Sequence, residues 1–192
     1  FKDGAHGFVM ADVSGHGVSA GMFMSSLQTA FHTLIPDADS PISVLERINR
    51  LYIHNINFTT FVTTFLGKYN PQTHRLSYAN AGHNSAYLYR MATNEEIWLR
   101  PTGPAIGLME RFNVYTEDVV MESGDILLLY TDGITEASNH QGMLWGEDRL
   151  AVAVASRPGW RRAGQCVVGG ARPRHRYHTP IASTKPCDRR FM

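Results

Sequence analysis

Two aspartates stand where an apolar run gives way to a glycine turn, a position in which a carboxylate can do chemistry. Asp12 follows the run Gly7-Phe8-Val9-Met10-Ala11, and Asp132 follows Ile126-Leu127-Leu128-Leu129-Tyr130-Thr131. A carboxylate at the end of a buried strand costs free energy unless it is paired, hydrogen-bonded or bound to a metal. Carboxylate and backbone carbonyl oxygens are hard donors that suit Mg²⁺ or Mn²⁺. The alternative is that each aspartate belongs to an unrelated turn.

The residues beside these aspartates leave several chemistries open. Gly15 and Gly17 let the backbone after Asp12 come close to a ligand. His16 and His83 could each bind phosphate, act as an acid or ligate a metal, but a structural hydrogen-bonding role is favoured for both. A serine hydrolase could use Ser14, but the Gly-x-Ser-x-Gly motif is absent from the sequence. The phosphate loops of the P-loop proteins and of the cysteine phosphatases are also absent from the sequence.

The elements that must position these residues follow from the hydrophobic periodicity. A strand is predicted over residues 7–13 and a helix over 18–35, with Met22, Phe23, Ser26, Leu27, Ala30, Phe31 and Leu34 on its core face. Ser40 as N-cap and Pro41 begin a second helix, whose apolar face holds Ile42, Leu45, Ile48, Leu51 and Tyr52. Strands are predicted over residues 60–69, 75–81, 86–90, 96–100, 112–121 and 125–131, and a last helix over 145–156. This order predicts an α+β domain of stacked sheets with helices outside.

Composition and charge divide the chain near residue 156. The 192 residues are 43% hydrophobic and 18% charged, as in one soluble globular domain, and neither a signal peptide nor a run long enough to span a membrane is visible. Residues 1–156 hold nine Lys/Arg against sixteen Asp/Glu, whereas residues 157–192 hold nine against Asp188 alone. Cys166 and Cys187 both lie in the second part, so no disulfide framework supports the core, which fits a cytoplasmic setting. We therefore expect a core over residues 1–156 and a basic Arg/Pro-rich tail over 157–192 that is not native to the fold.

Several short motifs occur together in one order. They are Asp12-Val13-Ser14-Gly15-His16-Gly17, Asn80-Ala81-Gly82-His83-Asn84, Gly103-Pro104-Ala105-Ile106-Gly107-Leu108 and Tyr130-Thr131-Asp132-Gly133-Ile134-Thr135-Glu136-Ala137, followed by Trp145-Gly146 and Arg149-Leu150. Each motif alone is weak, but the ordered set resembles the SpoIIE/RsbU-type branch of the PPM (protein phosphatase 2C) family. The resemblance covers residues 2–155.

The resemblance implies both a fold and a site. The fold would be an αββα sandwich of two mainly antiparallel sheets, with two Mn²⁺ or Mg²⁺ ions at the edge between the sheets. Asp12 would bridge both metals, the Val13 backbone carbonyl would complete one coordination shell, and Asp132 would hold the second metal. Ser14, Gly15, His16 and Gly133 would lie near the phosphate of the substrate. Residues 133–146 would correspond to mobile elements that help to assemble the metal site.

The resemblance also implies an activity and partners. The reaction would be metal-assisted hydrolysis of phosphoserine or phosphothreonine without a phosphoenzyme, and Asp12 and Asp132 would carry it. The substrate in this branch is commonly an anti-anti-sigma (STAS) protein, so that dephosphorylation regulates a sigma factor in bacterial signalling. A sensor domain usually precedes such a core and is not visible in this sequence.

Two departures from the family pattern predict a weak site. The family usually has Gly-Gly-Asp-x-x-Asp before the first strand, and Phe1-Lys2-Asp3-Gly4 corresponds to the hairpin after that motif, so Asp3 is not expected to replace its metal ligand. The family also ends on a strand that begins Asp-Asp-Ile-Thr, whereas this chain turns to Arg, Pro, Gly and His after residue 156. We therefore expect no closing strand, an unpaired sheet edge, weak metal binding and little activity of the 192-residue chain.

Two other functions remain in competition with the enzyme. The first is a pseudophosphatase that binds a phosphoprotein or STAS partner without turnover. The second is a nucleic-acid-binding arm made by the basic tail, which is disfavoured because the tail lacks regularly interleaved aromatic residues. The prediction is accordingly of no nucleic-acid partner.

Overall fold

The computed structural model describes residues 1–53, 60–156 and, for the backbone alone, 166–169. The chain divides into two compact units. The first consists of residues 1–83 and 100–121, and the second consists of residues 84–99 together with the described residues from 122 onward. Within the described residues, no helix is long and apolar enough to cross a membrane.

The first unit contains a four-stranded antiparallel sheet in the order β1-β2-β3-β6. Its strands are β1 (His6–Val13), β2 (Val62–Asn70), β3 (Arg75–Ala81) and β6 (Glu117–Val120). The turn between β2 and β3 is stabilised by the Asn70 side chain, whose Oδ1 accepts the Gln72 and Thr73 amides at 2.9 and 3.1 Å. The hairpin predicted from the Asn-Pro turn is therefore confirmed, and it fixes the register of the sheet.

Two helices cover one face of this sheet. They are α1 (Val18–Leu34) and α2 (Pro41–Tyr52). The predicted cap of α2 is confirmed, because Ser40 accepts the Ser43 amide and Pro41 occupies the first helical turn. The core between helices and sheet is formed by buried side chains of β1, β2, β3 and both helices, among them Val13, Leu27, Phe31, Ile48 and Leu66.

An aromatic layer lies on the opposite face of the same sheet. The rings of Phe8, Phe65 and Tyr78 stack in sequence across β1, β2 and β3. Gly67 lies directly under the first ring, since a Cβ atom there would come within 2.3 Å of Phe8 Cζ. The alternation of strand side chains thus assigns the even-numbered residues of β1, including Asp12, to this aromatic face.

The second unit contains a sheet in the order β5-β4-β7-β8. Its strands are β4 (Ala86–Arg90), β5 (Glu95–Leu99), β7 (Ile126–Tyr130) and β8 (Cys166–Gly169), and its helices are α3 (Asp132–Thr135) and α4 (Gly146–Ala155). The β4–β5 and β4–β7 pairs are antiparallel, whereas β7 and β8 are parallel. Buried side chains of β4, β7 and α4, among them Tyr87, Leu128, Tyr130 and Leu150, form a separate core.

Several predictions about the elements are wrong. The expectation of an unpaired sheet edge is wrong, because β8 pairs with β7 from Leu127 to Tyr130. The sequence of β8 is Cys-Val-Val-Gly, so it is not a strand of the Asp-Asp-Ile-Thr kind and carries no carboxylate. The strand predicted over 112–121 is shorter, since only Glu117–Val120 pairs with β3. Met22 is 70% exposed rather than buried on α1. On α2, Leu51 is exposed, and the polar Asn49 is buried in its place.

Candidate active site

Asp12 lies at the end of β1, on the face opposite the helices. It is the last residue but one of the strand, and its Cα partner across the sheet is Thr63 of β2. Val13 points into the helix-covered core, so the pleat of the strand directs the Asp12 carboxylate to the other face. The side chain is exposed there, contrary to the expectation of a carboxylate at the end of a buried strand. An ion can therefore reach it from solvent.

The Val13 carbonyl points away from β2. The Ser14 amide donates to the Phe61 carbonyl at 2.9 Å, which makes these two residues a hydrogen-bonded pair of the ladder. Backbone groups in an antiparallel pair alternate between the partner strand and the opposite side, so those of Val13 face away from β2. On β2, Val62 uses its own amide and carbonyl to pair with Ile106. β1 is the outer strand of its sheet, and the Val13 carbonyl is consequently directed off the sheet edge.

The chain after Val13 makes a glycine turn that leads into α1. Ser14 Oγ accepts the Phe61 amide at 2.8 Å, so this hydroxyl closes the end of the β1–β2 ladder. Gly15 and Gly17 have φ values of 101° and 87°, which side-chain-bearing residues rarely adopt. Gly17 is the N-cap of α1 and has no side chain to cap the helix. The first amides of α1 are thus available to an anion close to Asp12 in the chain.

The two histidines singled out from the sequence have different environments. His16 is exposed in the glycine turn. His83 is only 2% exposed, its amide donates to Asn80 Oδ1 at 2.8 Å, and its Nδ1 lies 2.9 Å from Thr63 Oγ1. The structural role favoured for His83 is supported by these contacts, whereas the role of His16 stays a prediction.

The Gly-Pro-Ala-Ile-Gly-Leu motif, residues 103–108, packs against the end of the sheet that carries Asp12. Ile106 pairs with Val62 through two backbone hydrogen bonds of 2.8 and 2.9 Å. The buried Asn49 of α2 accepts the Gly107 amide at 2.9 Å and donates to the Met109 carbonyl at 3.2 Å. Sequence reasoning missed Asn49, and its only signal was an amide side chain among the apolar residues of α2.

Asp132 lies in the second unit, as the first residue of the single turn α3. Its carboxylate is exposed, and its backbone carbonyl accepts the Glu136 amide at 2.7 Å. Gly133 follows it inside α3. Asp12, Val13, Ser14, Gly15 and His16 are contiguous in the first unit, so the structure describes these predicted site residues as two separate groups.

A side-chain hydrogen bond fixes the strand that ends at Asp132. Tyr130 is buried at the end of β7, and its hydroxyl donates to Glu147 Oε1 in the first turn of α4 at 2.6 Å. Burial, followed by the hydrogen bond to Glu147, raises the pKa of the Tyr130 phenol above its ordinary value. The Trp145 amide donates to the Ala137 carbonyl at 2.8 Å, so residues 137–145 form a closed loop. Sequence reasoning also missed Glu147 as the partner of Tyr130.

The donors near Asp12 fit a hard divalent cation in type but are few in number. The Asp12 carboxylate and the outward Val13 carbonyl supply oxygen, the ligand atom that Mg²⁺ and Mn²⁺ prefer. Among residues 1–53 and 60–156, however, no three His, Cys, Asp or Glu side chains gather into a metal-binding group. Asp3 is not such a ligand, because its carboxylate pairs with Lys68 Nζ at 2.7 Å.

Comparisons with known proteins place the fold and then the family. The structure resembles the SiaA-PP2C domain of Pseudomonas aeruginosa with a TM-score of 0.64 at 22% identity, covering 79% of this chain and 61% of that one. The crystal structure of the RsbU and RsbW domains of Rv1364c from Mycobacterium tuberculosis matches with a TM-score of 0.65 at 28% identity, covering 78% of this chain and 41% of that one. The α+β class, with two mainly antiparallel sheets and helices, is thus confirmed as that of the PP2C-type phosphatases.

The family follows from sequence. The sequence model of Stage II sporulation protein E (SpoIIE) matches residues 2–167. The phosphoserine phosphatase RsbU of Bacillus subtilis (strain 168) is 32% identical over 135 residues, which cover 70% of this chain and 40% of RsbU. The chain belongs to the SpoIIE family, and the resemblance stated from its motifs is confirmed. It spans less than half the length of RsbU.

Proposed function

We propose that the chain is the catalytic core of a metal-dependent phosphatase that removes phosphate from serine or threonine of a regulatory protein. The observation that carries the proposal is the end of β1. An exposed carboxylate at Asp12, an outward carbonyl at Val13 and the uncapped start of α1 follow one another within a few residues. A hard cation and a phosphoryl group are the ligands that such donors suit.

In this proposal the chain's own residues bind and orient the reacting groups. Asp12 and the Val13 carbonyl hold metal, and Asp132 of α3 contributes a second carboxylate. The turn Ser14-Gly15-His16 and Gly133 lie beside the phosphate. Two Mn²⁺ or Mg²⁺ ions, when bound, would supply charge neutralisation of the phosphoryl oxygens and activation of water for attack.

The substrate is proposed to be a phosphoprotein of the anti-anti-sigma (STAS) type. Support comes from RsbU, which is named a phosphoserine phosphatase, and from the Rv1364c structure, in which an RsbU domain occurs together with an RsbW domain. Both point to serine dephosphorylation in a sigma-factor pathway. The partner of this chain would then be a phosphoserine or phosphothreonine side chain on a folded protein, and no nucleic acid is required.

The alternative of a pseudophosphatase has one observation in its favour. The described residues hold no group of three or more side chains suited to a metal, so the 192-residue chain should bind Mn²⁺ weakly. A protein that keeps a phosphate-binding turn but holds metal poorly would bind a phosphoprotein without hydrolysing it. Turnover at saturating metal distinguishes the two functions.

The test is phosphate release from a phosphoserine peptide at millimolar Mn²⁺, with and without a chelator. Asp12→Asn should slow release by about 100-fold or more, equivalent to about 2.7 kcal/mol of transition-state stabilisation. The matched control is Asp37→Asn, which alters an exposed aspartate of the α1–α2 loop and should leave the rate unchanged. Release that does not need Mn²⁺, or equal rates of the two variants, would exclude the proposed mechanism. Peptide binding without any release would favour the pseudophosphatase.

A further inference from the structure

The Thr63 hydroxyl lies between a buried histidine and the backbone of Asp12. Thr63 Oγ1 is 2.9 Å from His83 Nδ1 and 3.4 Å from the Asp12 carbonyl oxygen. The two contacts link β2 to the strand that carries the carboxylate and to the turn that follows β3. All three residues lie in the first unit.

The two contacts of Thr63 raise the question of which atom donates in each. A threonine hydroxyl has a single hydrogen, so it cannot donate to the Asp12 carbonyl and to the ring at once. If Thr63 donates to Asp12, the His83 ring must donate from Nδ1 to Thr63. Both contacts can be hydrogen bonds at the same time only when the His83 ring carries a proton on Nδ1.

His83 is held in place by the motif that contains it. Its amide donates to Asn80 Oδ1, and the Asn80 carbonyl accepts the Thr102 amide at 2.7 Å. The Asn80 amide in turn donates to Thr102 Oγ1 at 2.9 Å. Gly82, with a φ of 66°, packs so closely on Ala105 that a Cβ atom would come within 3.0 Å of its amide nitrogen. These contacts hold the Asn-Ala-Gly-His turn, and with it the His83 ring, in one position.

We propose that His83 is a positioning residue for Asp12 and acts through the hydroxyl of Thr63. This inference rests on the proposed function, in which Asp12 is a metal ligand whose position matters. The Asp12 carbonyl oxygen already faces Thr63 in the β1–β2 ladder, and the hydroxyl adds a second contact that restrains the peptide group joining Asp12 to Val13. Partners that orient metal ligands typically change metal affinity by 10- to 100-fold when removed, here about 10-fold for one weak contact.

The test uses the ¹⁵N-labelled 192-residue chain and Mn²⁺ as the probe. Mn²⁺ broadens the amide signals of residues near which it binds, and this effect remains measurable when binding is weak. Thr63→Val removes the hydroxyl and keeps the branched shape, while Thr63→Ser keeps the hydroxyl. Thr64→Val is the matched control, because the neighbouring Thr64 is buried and its hydroxyl has no hydrogen-bond partner among the described residues.

The expected result is a shift in the Mn²⁺ concentration that half-broadens the Val13 and Ser14 amides. Thr63→Val should need about 10-fold more Mn²⁺, whereas Thr63→Ser and Thr64→Val should stay within about two-fold of the parent chain. Equal Mn²⁺ requirements of the two valine variants would overturn the proposal. Amide spectra of each metal-free variant show whether it is folded as the parent.

The ring nitrogens of His83 give a readout that needs no metal. Long-range ¹H–¹⁵N spectra should show His83 protonated on Nδ1 in the parent chain, with its signals assigned by their loss in His83→Asn. A ring protonated on Nε2 alone would overturn the positioning contact. If Mn²⁺ broadened no signal near Asp12 while His83 kept its Nδ1 proton, the metal centre of the proposed function would fail and the hydrogen-bonded chain would stand.

Discussion

Replacement of Asn49 by alanine should weaken the connection between α2 and the loop that braces the candidate site. Asn49 is 1% exposed, and its amide makes two hydrogen bonds to the backbone of that loop. Asn49 Oδ1 accepts from the Gly107 amide at 2.9 Å, and Asn49 Nδ2 donates to the Met109 carbonyl at 3.2 Å. Alanine keeps the helical propensity high but leaves both backbone groups without this partner.

The magnitude follows from the burial of the two partners. Each lost hydrogen bond costs about 1 kcal/mol net. Gly107 is half-buried, so its unpaired amide adds about 1 kcal/mol more, while Met109 is exposed and its carbonyl can turn to water. The free energy of unfolding should therefore fall by about 2 to 3 kcal/mol. For a chain of this size, that fall lowers Tm by about 5 to 10 °C.

Urea unfolding followed by circular dichroism measures this change, with the slope m checked to be the same for both proteins. The control is Arg50→Ala, which replaces the exposed neighbour on the same helix and should change stability by less than about 0.5 kcal/mol. A loss for Asn49→Ala no larger than that of the control would refute the view that this side chain anchors the loop.

Four further substitutions test the packing and the electrostatics by urea unfolding. Gly67→Ala should cost about 1 to 3 kcal/mol, because its Cβ would collide with the Phe8 ring, whereas Gly21→Ala, in an open position of α1, should stabilise by about 1 kcal/mol. Thr64→Val should stabilise by about 1 kcal/mol, because a buried hydroxyl without a partner among the described residues is removed; a loss would show that this hydroxyl is bonded. Burial raises the pKa of Asp125 above its ordinary value, so its folded state holds the proton more tightly and stability falls as pH rises from about 4 through the folded pKa. Asp125→Asn should flatten that fall, and an unchanged pH profile would contradict it.

Local signals in the sequence were sufficient for most elements. Ser40 and Pro41 carry the capping chemistry of a helix start, and the turn at Asn70 carries that of a hairpin, so both positions could be read without knowledge of the fold. The strand that holds Asp12 was also found, because an apolar run followed by a glycine turn depends only on nearby residues.

The failures involve contacts between residues far apart in sequence. On α2, Asn49 is buried and Leu51 is exposed, because the Asn49 amide hydrogen-bonds to a loop 60 residues further along the chain. Hydrophobic periodicity cannot reveal a contact of this kind. Met22 has the spacing of a core residue but is exposed, although Ala20 and Phe23 on either side of it pack against the core. The strand β8 is short, and its pairing with β7 depends on tertiary contact rather than on its own pattern.

The candidate site was predicted in part for the same reason. Asp12 and the glycine turn after it could be identified from residue types, but their exposure could not. His83 could be a ligand or a structural residue until its contact with Thr63 was seen. Thr63 itself carries no sequence signal, since threonine is common in strands.

The central claim is that Asp12 and Asp132 serve one metal-dependent phosphatase reaction, and a double-mutant cycle on phosphate release tests it most directly. Asp12→Asn and Asp132→Asn are each compared with the parent chain and with the double variant, at a fixed Mn²⁺ concentration and with a phosphoserine peptide. Each single change is expected to lower the Mn²⁺-dependent rate by about 100-fold or more, and the double variant should be hardly slower than either, because groups that act as a unit are not additive. A rate unchanged by either substitution, or losses that simply multiply, would contradict the claim.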